Sequence, residues 1–403
     1  MATDSRLSTS IARVRLTSPF SPAESQTPGR RIALGALISS APPQQRLLSL
    51  DALRGFIMFW IMGGRELALA LVACLSPSWF DAAETQLTHA RWQGFVAWDM
   101  IMPVFLFVAG TALPFGVAKR TPQGAASAAN YWRIVRRVVV LWILGMAAQG
   151  SLLKYHYDEL EFYSNALQAI AVGYLVTSLA LLHLRLAGQI GLFAGLLLSY
   201  WALLVMFPFS GHPAGTLQQY ANFPLYVDHW VLGSFRRNHS FTWVTTSLGF
   251  AATVLLGAMA GHLLKSRLSA TQKLAAMVTI GVACAAAGWL WSYWLPLNRH
   301  LWTTSMILWA GGLSFLLLAL FYLVIDVIGV KLWAFPFVVI GANALLAYVF
   351  DHVFDRTLSD TLVLNLAQQW PAPYGELLRS IGEVGLLWLV LWYLYRQRTF
   401  LRA

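Results

Sequence analysis

The chain has 403 residues, of which 58% are hydrophobic and only 11% are charged. A soluble protein of this length would carry about 25% charged residues, so the composition excludes an ordinary soluble enzyme. The net charge of +11 would suggest a nucleic-acid partner in a soluble protein. Beside so much apolar sequence it indicates cytoplasmic loops rich in Lys and Arg, and no nucleic-acid partner is expected.

The first 46 residues differ from the rest, because they are rich in Ser, Pro and Arg. Their longest apolar patch, IALGALISSA, is too short to cross a bilayer, which takes about 20 residues. We predict a disordered cytoplasmic tail over residues 1–46 and a transmembrane domain over residues 47–403. A signal peptide is the alternative, but the apolar patch comes late for one.

Apolar runs of spanning length recur from residue 50 onward, and no alternating, barrel-like pattern accompanies them. The prediction is therefore an all-α polytopic bundle of about 10–11 transmembrane helices. The ten clearest spans are 50–73, 97–117, 133–152, 164–184, 188–208, 243–264, 273–294, 303–325, 334–351 and 380–395. Lys and Arg are commoner in the inner segments that this order defines than in the outer loops, so both termini are expected in the cytoplasm.

The first span contains two pairs of charged residues. Asp51 and Arg54 lie three residues apart on one helical face, either as a helix-start ion pair or with Arg54 as a phosphate contact. Arg65 and Glu66 lie deeper, after Gly63 and Gly64, which can loosen the helix. Because adjacent residues point to different sides of a helix, we expect Arg65 to pair with a carboxylate on another span, Asp99 in particular.

A histidine and several carboxylates share the outer half of the predicted bundle. His89 precedes the second span and Asp99 enters it, while Asp351 and His352 end the ninth. Charged groups at this depth are costly, and a histidine beside carboxylates is suited to acid–base chemistry. We predict that His89 and Asp99 come within hydrogen-bond reach, directly or through one water. Aromatic outer loops would serve as a membrane-interface belt or as a sugar-binding surface.

Four stretches carry a resemblance to a known family: RLLSLDALRGF, HARWQGFVAWDMIMPVFLFVAG, NALQAIAVGY and the long segment that begins LPLNRHLWTTSMILWAGG and ends GANALLAYVFDHVF. The chain resembles the heparan-α-glucosaminide N-acetyltransferase family of membrane acyltransferases, as a bacterial relative. The resemblance extends over most of residues 46–354. It implies transfer of an acetyl group from cytoplasmic acetyl-CoA to a sugar or glycan on the far side, in this case across a bacterial inner membrane.

In that family the histidine before the second span is catalytic, and His89 matches it, with Asp99 matching the aspartate that follows. The resemblance places further acceptor-binding residues in the same outer cavity. The full set of predicted substrate-binding residues is Arg65, Glu66, Trp302, Asn343, Asp351 and His352. The chain departs from the animal enzyme of the family at two places, the GGRE run that contains Arg65 and the Asp351 that precedes His352. The acceptor group is therefore left open between an amine and a hydroxyl.

The acyl donor is the expected cosubstrate, and no metal is expected. Acyl-CoA is anionic and needs cationic partners, which Arg can provide as a bidentate fork. The predicted acyl-CoA-binding residues are Arg54, Lys119, Arg120, Arg133, Arg136 and Arg137. For Arg133, Arg136 and Arg137, the alternative is that they only reflect the excess of positive charge on the cytoplasmic side. A wall thinned by Gly55, Gly63 and Gly64 would let the pantetheine arm reach the level of His89.

Several alternatives stay open at this stage. His89 could accept the acyl group itself, or it could remove a proton from the acceptor for direct attack. A homodimer is one option for the oligomeric state, and lipid is a partner of any such bundle. A proton-coupled transporter of a sugar or small organic anion is the alternative function, with Arg65, Glu66 and Asp99 as its site.

Overall fold

The computed structural model describes residues 38–39, 47–116, 127–154, 159–236, 240–353 and 367–401. It confirms an all-α polytopic membrane protein. Among the described residues, eight helical segments are long and apolar enough to cross a bilayer, and a pair of helices bent by 76° makes a ninth when the pair is counted as one span. The predicted disordered tail falls almost entirely outside the described residues and stays a prediction.

Fifteen helices and four short strands make up the described part of the chain. The helices are α1 Leu48–Phe59, α2 Arg65–Leu75, α3 Phe80–Gln86, α4 Ile101–Thr111, α5 Leu113–Gly116, α6 Ala128–Ala148, α7 Ala166–His183, α8 Leu186–Val205, α9 Phe223–Leu232, α10 Ser247–Lys265, α11 Ala270–Trp291, α12 Thr304–Phe321, α13 Phe335–Ala342, α14 Ala344–Val353 and α15 Tyr374–Arg396. The strands are β1 Ile38–Ser39, β2 Leu217–Gln218, β3 Ala221–Asn222 and β4 Phe400–Leu401, and they pair antiparallel as β1 with β4 and β2 with β3.

The first span is not a uniform helix. A π-helical turn, Trp60–Gly64, joins α1 to α2, and Gly63 within it has a φ of 108°. Only glycine adopts that backbone conformation without strain. The predicted loosening of the helix at Gly63 is therefore confirmed, and it turns Ile61 toward the cavity described below.

Two of the glycines in the first span, Gly55 and Gly64, lie in close contact with other residues. A Cβ atom at Gly55 would overlap the carbonyl of Phe337 in α13, and one at Gly64 would clash with Phe59 in its own span. The predicted role of Gly55 as a thin channel wall is thus wrong, because it packs against α13, while the role of Gly63 and Gly64 stays a prediction. Without a hydrophobic driving force between helices in lipid, small residues at contacts allow the close backbone approach that holds helices together.

The ninth predicted span, 334–351, is broken rather than straight. Asn343 lies between α13 and α14 in a non-helical conformation, with φ −126° and ψ 34°. Its side-chain Nδ2 donates to the carbonyl of Thr399, 3.0 Å away, near the end of the chain. After the bend, Asp351 and His352 in the last turns of α14 line the cavity described below.

The third predicted span corresponds to α6, a 21-residue helix. Three arginines, Arg133, Arg136 and Arg137, lie in its first half, which is why it is less apolar than the other spans. α6 packs along α7, whose N-cap is Asn165: its side chain accepts the backbone N–H of Leu167 at 2.6 Å. α6 is not among the eight segments counted above. Under the predicted topology, in which α6 is also a span, the segments before α4, α7, α10 and α12 lie at the same end of the bundle, and each of them contributes residues to the site.

Candidate functional site

His89 and Asp99 form a direct hydrogen bond at the entrance of the second span. His89 Nδ1 lies 2.8 Å from Asp99 Oδ1, as predicted. The aspartate belongs to a 3-10 turn, Ala97–Met100, and its Oδ2 accepts the backbone N–H of Val96 at 3.2 Å. The Asp99 side chain is fully buried, while 41% of the His89 side chain is exposed.

The cation beside Asp99 is Arg299, which the sequence analysis did not single out. Its Nε lies 3.6 Å from Asp99 Oδ1, the oxygen that also binds His89. Arg299 comes from the loop before α12, and Gly94 ties this loop to the His89 loop by donating its N–H to Leu297 O at 2.9 Å. The signal lay in the LPLNRHLW run, the most specific part of the resemblance.

The contacts determine which nitrogen of each ring carries the proton. Asp99 is an ion-paired carboxylate and accepts, so His89 Nδ1 donates and Nε2 of the neutral ring holds a lone pair. No described residue bonds that Nε2. At His300, Nε2 lies 3.2 Å from Nη1 of Arg299, which only donates; Nδ1 of His300 must therefore donate to Ser240 Oγ, 3.1 Å away.

Burial and neighbouring charges keep both rings neutral. Burial lowers the pKa of His89 most. The hydrogen bond to Asp99 and the negative charge of Asp99 raise it, the positive charges of Arg299 and Arg65 lower it, and the net direction is downward. Burial, then Arg299 and His89, lower the pKa of His300 to about 4. Burial lowers the pKa of Arg299 to about 10, against the attraction of Asp99, so its guanidinium stays charged at neutral pH.

Arg65 does not pair with Asp99, which corrects the sequence prediction. Its Nε donates to Leu87 O at 2.6 Å and its Nη2 to Thr88 Oγ1 at 3.1 Å, while Nη1 lies 3.4 Å from Glu66. Side-chain flexibility lets the two adjacent residues meet. Arg65 therefore fastens the backbone immediately before His89, and neither it nor Glu66 lines the cavity.

His89 opens onto a cavity of about 600 Å³. Segments from seven parts of the chain contribute to its wall. The lining residues are Ile61, His89, Trp98, Ile101, Met102, Phe105, Gln149, Glu161, Ser164, Ala166, Ser240, Phe241, Trp243, Arg299, His300, Tyr348, Asp351 and His352. An apolar body with convergent polar and charged groups is typical of a small-molecule site.

His352 also faces this cavity, as the sequence predicted, beside His89 and His300. His352 Nδ1 lies 2.9 Å from the carbonyl of Tyr348, which only accepts, so Nδ1 carries the proton. The same nitrogen is 3.4 Å from Asp351 Oδ2. The His352 ring stacks on Tyr348 at 4.2 Å, and Tyr348 donates its hydroxyl to Asn165 Oδ1 at 3.2 Å.

Trp302 and Asn343 do not reach the cavity, and their predicted placement there is wrong. Trp302 is 1% exposed, donates its indole N–H to Thr253 Oγ1 at 3.1 Å and packs on Phe250. Asn343 is equally buried and bonds to Thr399 at the bend between α13 and α14. Both are structural residues whose polar groups are satisfied inside the protein.

The predicted acyl-CoA-binding residues lie on α1 and α6. Arg54 pairs with Asp51 at 3.2 Å, the geometry of a helix-start ion pair. Arg133 and Arg136 are exposed. The guanidinium of Arg137 lies 4.5 Å above the ring of Tyr174. Lys119 and Arg120 fall outside the described residues. Within the described part of the chain, no group of three or more His, Cys, Asp or Glu side chains is arranged to hold a metal.

Comparison with known proteins gives two distant relatives of the same name. The chain is 23% identical to human heparan-alpha-glucosaminide N-acetyltransferase over 90% of its own length, and 22% identical to the mouse protein over 82%. No family model matches the chain. The chain spans 60% of the human protein and 58% of the mouse protein. These matches support a distant family relationship.

Proposed function

We propose that this distant relative of the heparan-alpha-glucosaminide N-acetyltransferases is a membrane-embedded acyltransferase. It transfers an acetyl group from acetyl-CoA to a sugar or glycan, and His89 is its catalytic residue. The names of the human and mouse relatives make a glucosaminide amine the first acceptor to test. A sugar hydroxyl is the second, because the chain departs from the animal pattern near the site.

The observation that carries the proposal is the His89–Asp99 pair. A buried carboxylate fixes the proton on Nδ1, so Nε2 offers its lone pair to the cavity. This is the arrangement by which other histidine–carboxylate pairs orient a general base and stabilise the imidazolium that forms. The lowered pKa of His89 favours the neutral ring, which is the form able to accept a proton.

We favour direct transfer over an acyl-histidine intermediate. The cavity has room for the ends of two substrates, and its polar groups lie on several sides of His89. The acceptor nitrogen or oxygen would give its proton to Nε2 as it attacks the thioester, and the imidazolium would return that proton to the departing CoA sulfur.

Acetyl-CoA would enter along α6. This helix carries Arg133, Arg136 and Arg137 in its first half and is followed by Gln149 in the cavity wall. With a rise of about 1.5 Å per residue, Arg137 and Gln149 lie about 18 Å apart along the helix, a distance similar to that of an extended pantetheine arm. Phosphates held at the arginines would therefore place the thioester near the level of the cavity.

The location of the charges supports an acyltransferase over a carrier. A transporter site is expected near the middle of the bilayer between two halves of the bundle. Here His89, Asp99 and Arg299 lie in or beside the connections at one end of the spans. Under the positive-inside prediction this end faces away from the cytoplasm, and a bacterial inner membrane remains the proposed location.

The test uses the purified full-length chain with acetyl-CoA labelled in the acetyl group. Glucosamine, a glucosaminide disaccharide and matched sugars without an amine serve as acceptors, and the label is followed into CoA-free product. We expect labelled N-acetyl product that is lost in His89→Ala. Labelled product from wild type and His89→Ala at equal rates would overturn the role of His89, and no transfer to any acceptor would overturn the acyltransferase.

A further inference from the structure

Arg299 occupies a special position in the site. Its Nε contacts Asp99 Oδ1 at 3.6 Å and its Nη1 donates to His300 Nε2 at 3.2 Å. The guanidinium carbon lies 5.3 Å from the centre of the Phe241 ring. Two other segments, through Asp99 and Phe241, and the adjacent His300 thus contact the guanidinium, and His300 is itself held by Ser240.

These contacts use only part of what the guanidinium offers. Arginine has five N–H donors, and the described residues engage Nε and one N–H of Nη1. Nη2 has no partner within the described part of the chain, although Arg299 lines the cavity. A charged donor that is held rigidly and has N–H groups to spare is suited to a ligand oxygen.

One oxygen atom sets the relation between Arg299 and His89. Asp99 Oδ1 lies 2.8 Å from His89 Nδ1 and 3.6 Å from Arg299 Nε. The imidazole that would handle the proton and the guanidinium are therefore anchored to the same atom. Both side chains also line the cavity, so one ligand bound there can contact His89 and Arg299.

We propose that Arg299 is a second catalytic residue, which hydrogen-bonds the carbonyl oxygen of the transferred acyl group and stabilises the oxyanion that forms on it. This inference rests on the proposed acyl transfer. The acceptor forms a bond to the carbonyl carbon and gives its proton to His89 Nε2, while the carbonyl π electrons move to the oxygen facing Arg299. When the oxyanion collapses, the C–S bond breaks and CoA sulfur takes the proton from His89.

The charge of Arg299 has a measurable effect on His89. The charged and titratable groups around that ring are Asp99, Arg299, Arg65 with its partner Glu66, and His300, while Glu161, Asp351 and His352 complete the cavity. Of the two arginines, Arg299 lowers the pKa of His89 more than Arg65 does. Removing the charge of Arg299 should therefore raise the titration midpoint of His89.

Three variants test the inference, each in the full-length protein. Arg299→Gln removes the charge, Arg299→Lys keeps the charge but loses the planar fork, and Arg91→Gln removes an exposed arginine from the loop that carries His89. Acetyl transfer is measured as kcat and KM for acetyl-CoA. Separately, NMR of ¹³C-labelled histidine, assigned with His89→Ala, follows the titration of His89 without any turnover.

Loss of one oxyanion donor costs about 10²–10³-fold in kcat. We expect kcat to fall by that factor in Arg299→Gln, with little change in KM and a raised titration midpoint of His89. In Arg299→Lys we expect a smaller fall in kcat and an unchanged midpoint. Arg91→Gln should behave as wild type in both measurements. A kcat within threefold of wild type in Arg299→Gln, or a lowered kcat with an unchanged midpoint, would overturn the inference. If wild type itself transfers no acetyl group, the proposed function fails and the oxyanion role of Arg299 fails with it, whereas the NMR comparison still tests the charge coupling of Arg299 to His89 separately.

Discussion

Two of the three histidines in the cavity, His89 and His352, carry the proton on the same ring nitrogen but donate it to different partners. His89 donates Nδ1–H to a carboxylate that is fully buried and contacts an arginine. His352 donates Nδ1–H to the backbone carbonyl of Tyr348, and its neighbour Asp351 is 3.4 Å away with 25% of its side chain exposed. A buried carboxylate interacts strongly with an imidazolium, whereas a carbonyl dipole and a solvent-screened charge interact weakly.

Under the proposed function, this difference in partners assigns different roles to His89 and His352. Proton transfer creates a positive charge on the ring, and only the ring backed by a buried anion is compensated for it. His89 is therefore expected to act as the base. His352, stacked on Tyr348 and directed by a carbonyl, is expected to bind substrate through Nε2 without changing its charge.

Removal of the His89 ring should give the largest effect. We expect His89→Ala to lower kcat by about 10³–10⁴-fold, since a positioned general base contributes up to that much. His212→Ala, an exposed histidine of another outer loop, is the matched control and should keep wild-type activity. Equal losses in the two variants would mean that the effect of His89 is not specific.

Replacing either carboxylate by an amide should give the next largest effects on kcat and should distinguish the roles of His89 and His352. Asp99→Asn places an amide against His89 Nδ1, which can stabilise the wrong tautomer, and we expect kcat to fall by about 10²–10³-fold. Asp351→Asn should change kcat by less than about tenfold, because Tyr348 O still directs His352. Rates of acetyl transfer measure both, and a larger loss in Asp351→Asn would reverse the assignment of roles.

The effect of His352→Ala should be smaller and should appear in binding. One hydrogen bond lost to the acceptor corresponds to up to about a tenfold rise in its KM, with kcat nearly unchanged. Steady-state kinetics at varied acceptor concentration provide the measurement. A fall in kcat comparable to that of His89→Ala would make His352 a second base.

The smallest expected effect concerns pH. Because the pKa of His89 lies below its ordinary value of 6.5, the neutral ring is already the main form at pH 6.5, and it is lost only as the pH falls further. We expect the ¹³C-histidine NMR midpoint of His89 to lie below 6.5 and to rise in Arg299→Gln. A midpoint above 6.5 would mean that Asp99 outweighs burial and the two arginines.

Much of the fold and part of the site could be predicted from the sequence. Apolar runs of spanning length have essentially one backbone solution in lipid, the helix, so the all-α class and most spans followed directly. The His89–Asp99 contact was also predictable, because a ten-residue loop with Gly94 in it joins the two residues and both belong at the same depth.

The partners of these residues were decided by tertiary structure. Arg65 and Arg299 are both arginines at the outer end, and the sequence analysis assigned Arg65 to Asp99 because a charge at its depth needs a carboxylate on another span. In the fold, Gly94 ties the loop before α12 to the His89 loop, so Arg299 contacts Asp99 and Arg65 holds the backbone of Leu87. Likewise, Asn343 and Trp302 were plausible cavity residues by polarity and by resemblance, but the bend after α13 and the packing on Phe250 bury them elsewhere.

The sequence by itself determined the all-α membrane class, the chemistry available at the outer end and the pairing of a histidine with the aspartate ten residues away, since hydropathy and short loops act locally along the chain. Tertiary structure alone decided which arginine faces that pair and which polar residues reach the cavity. Those contacts depend on how distant loops meet and on the rotation of each helix about its axis. A shift of one residue along a helix turns the side chain by about 100°.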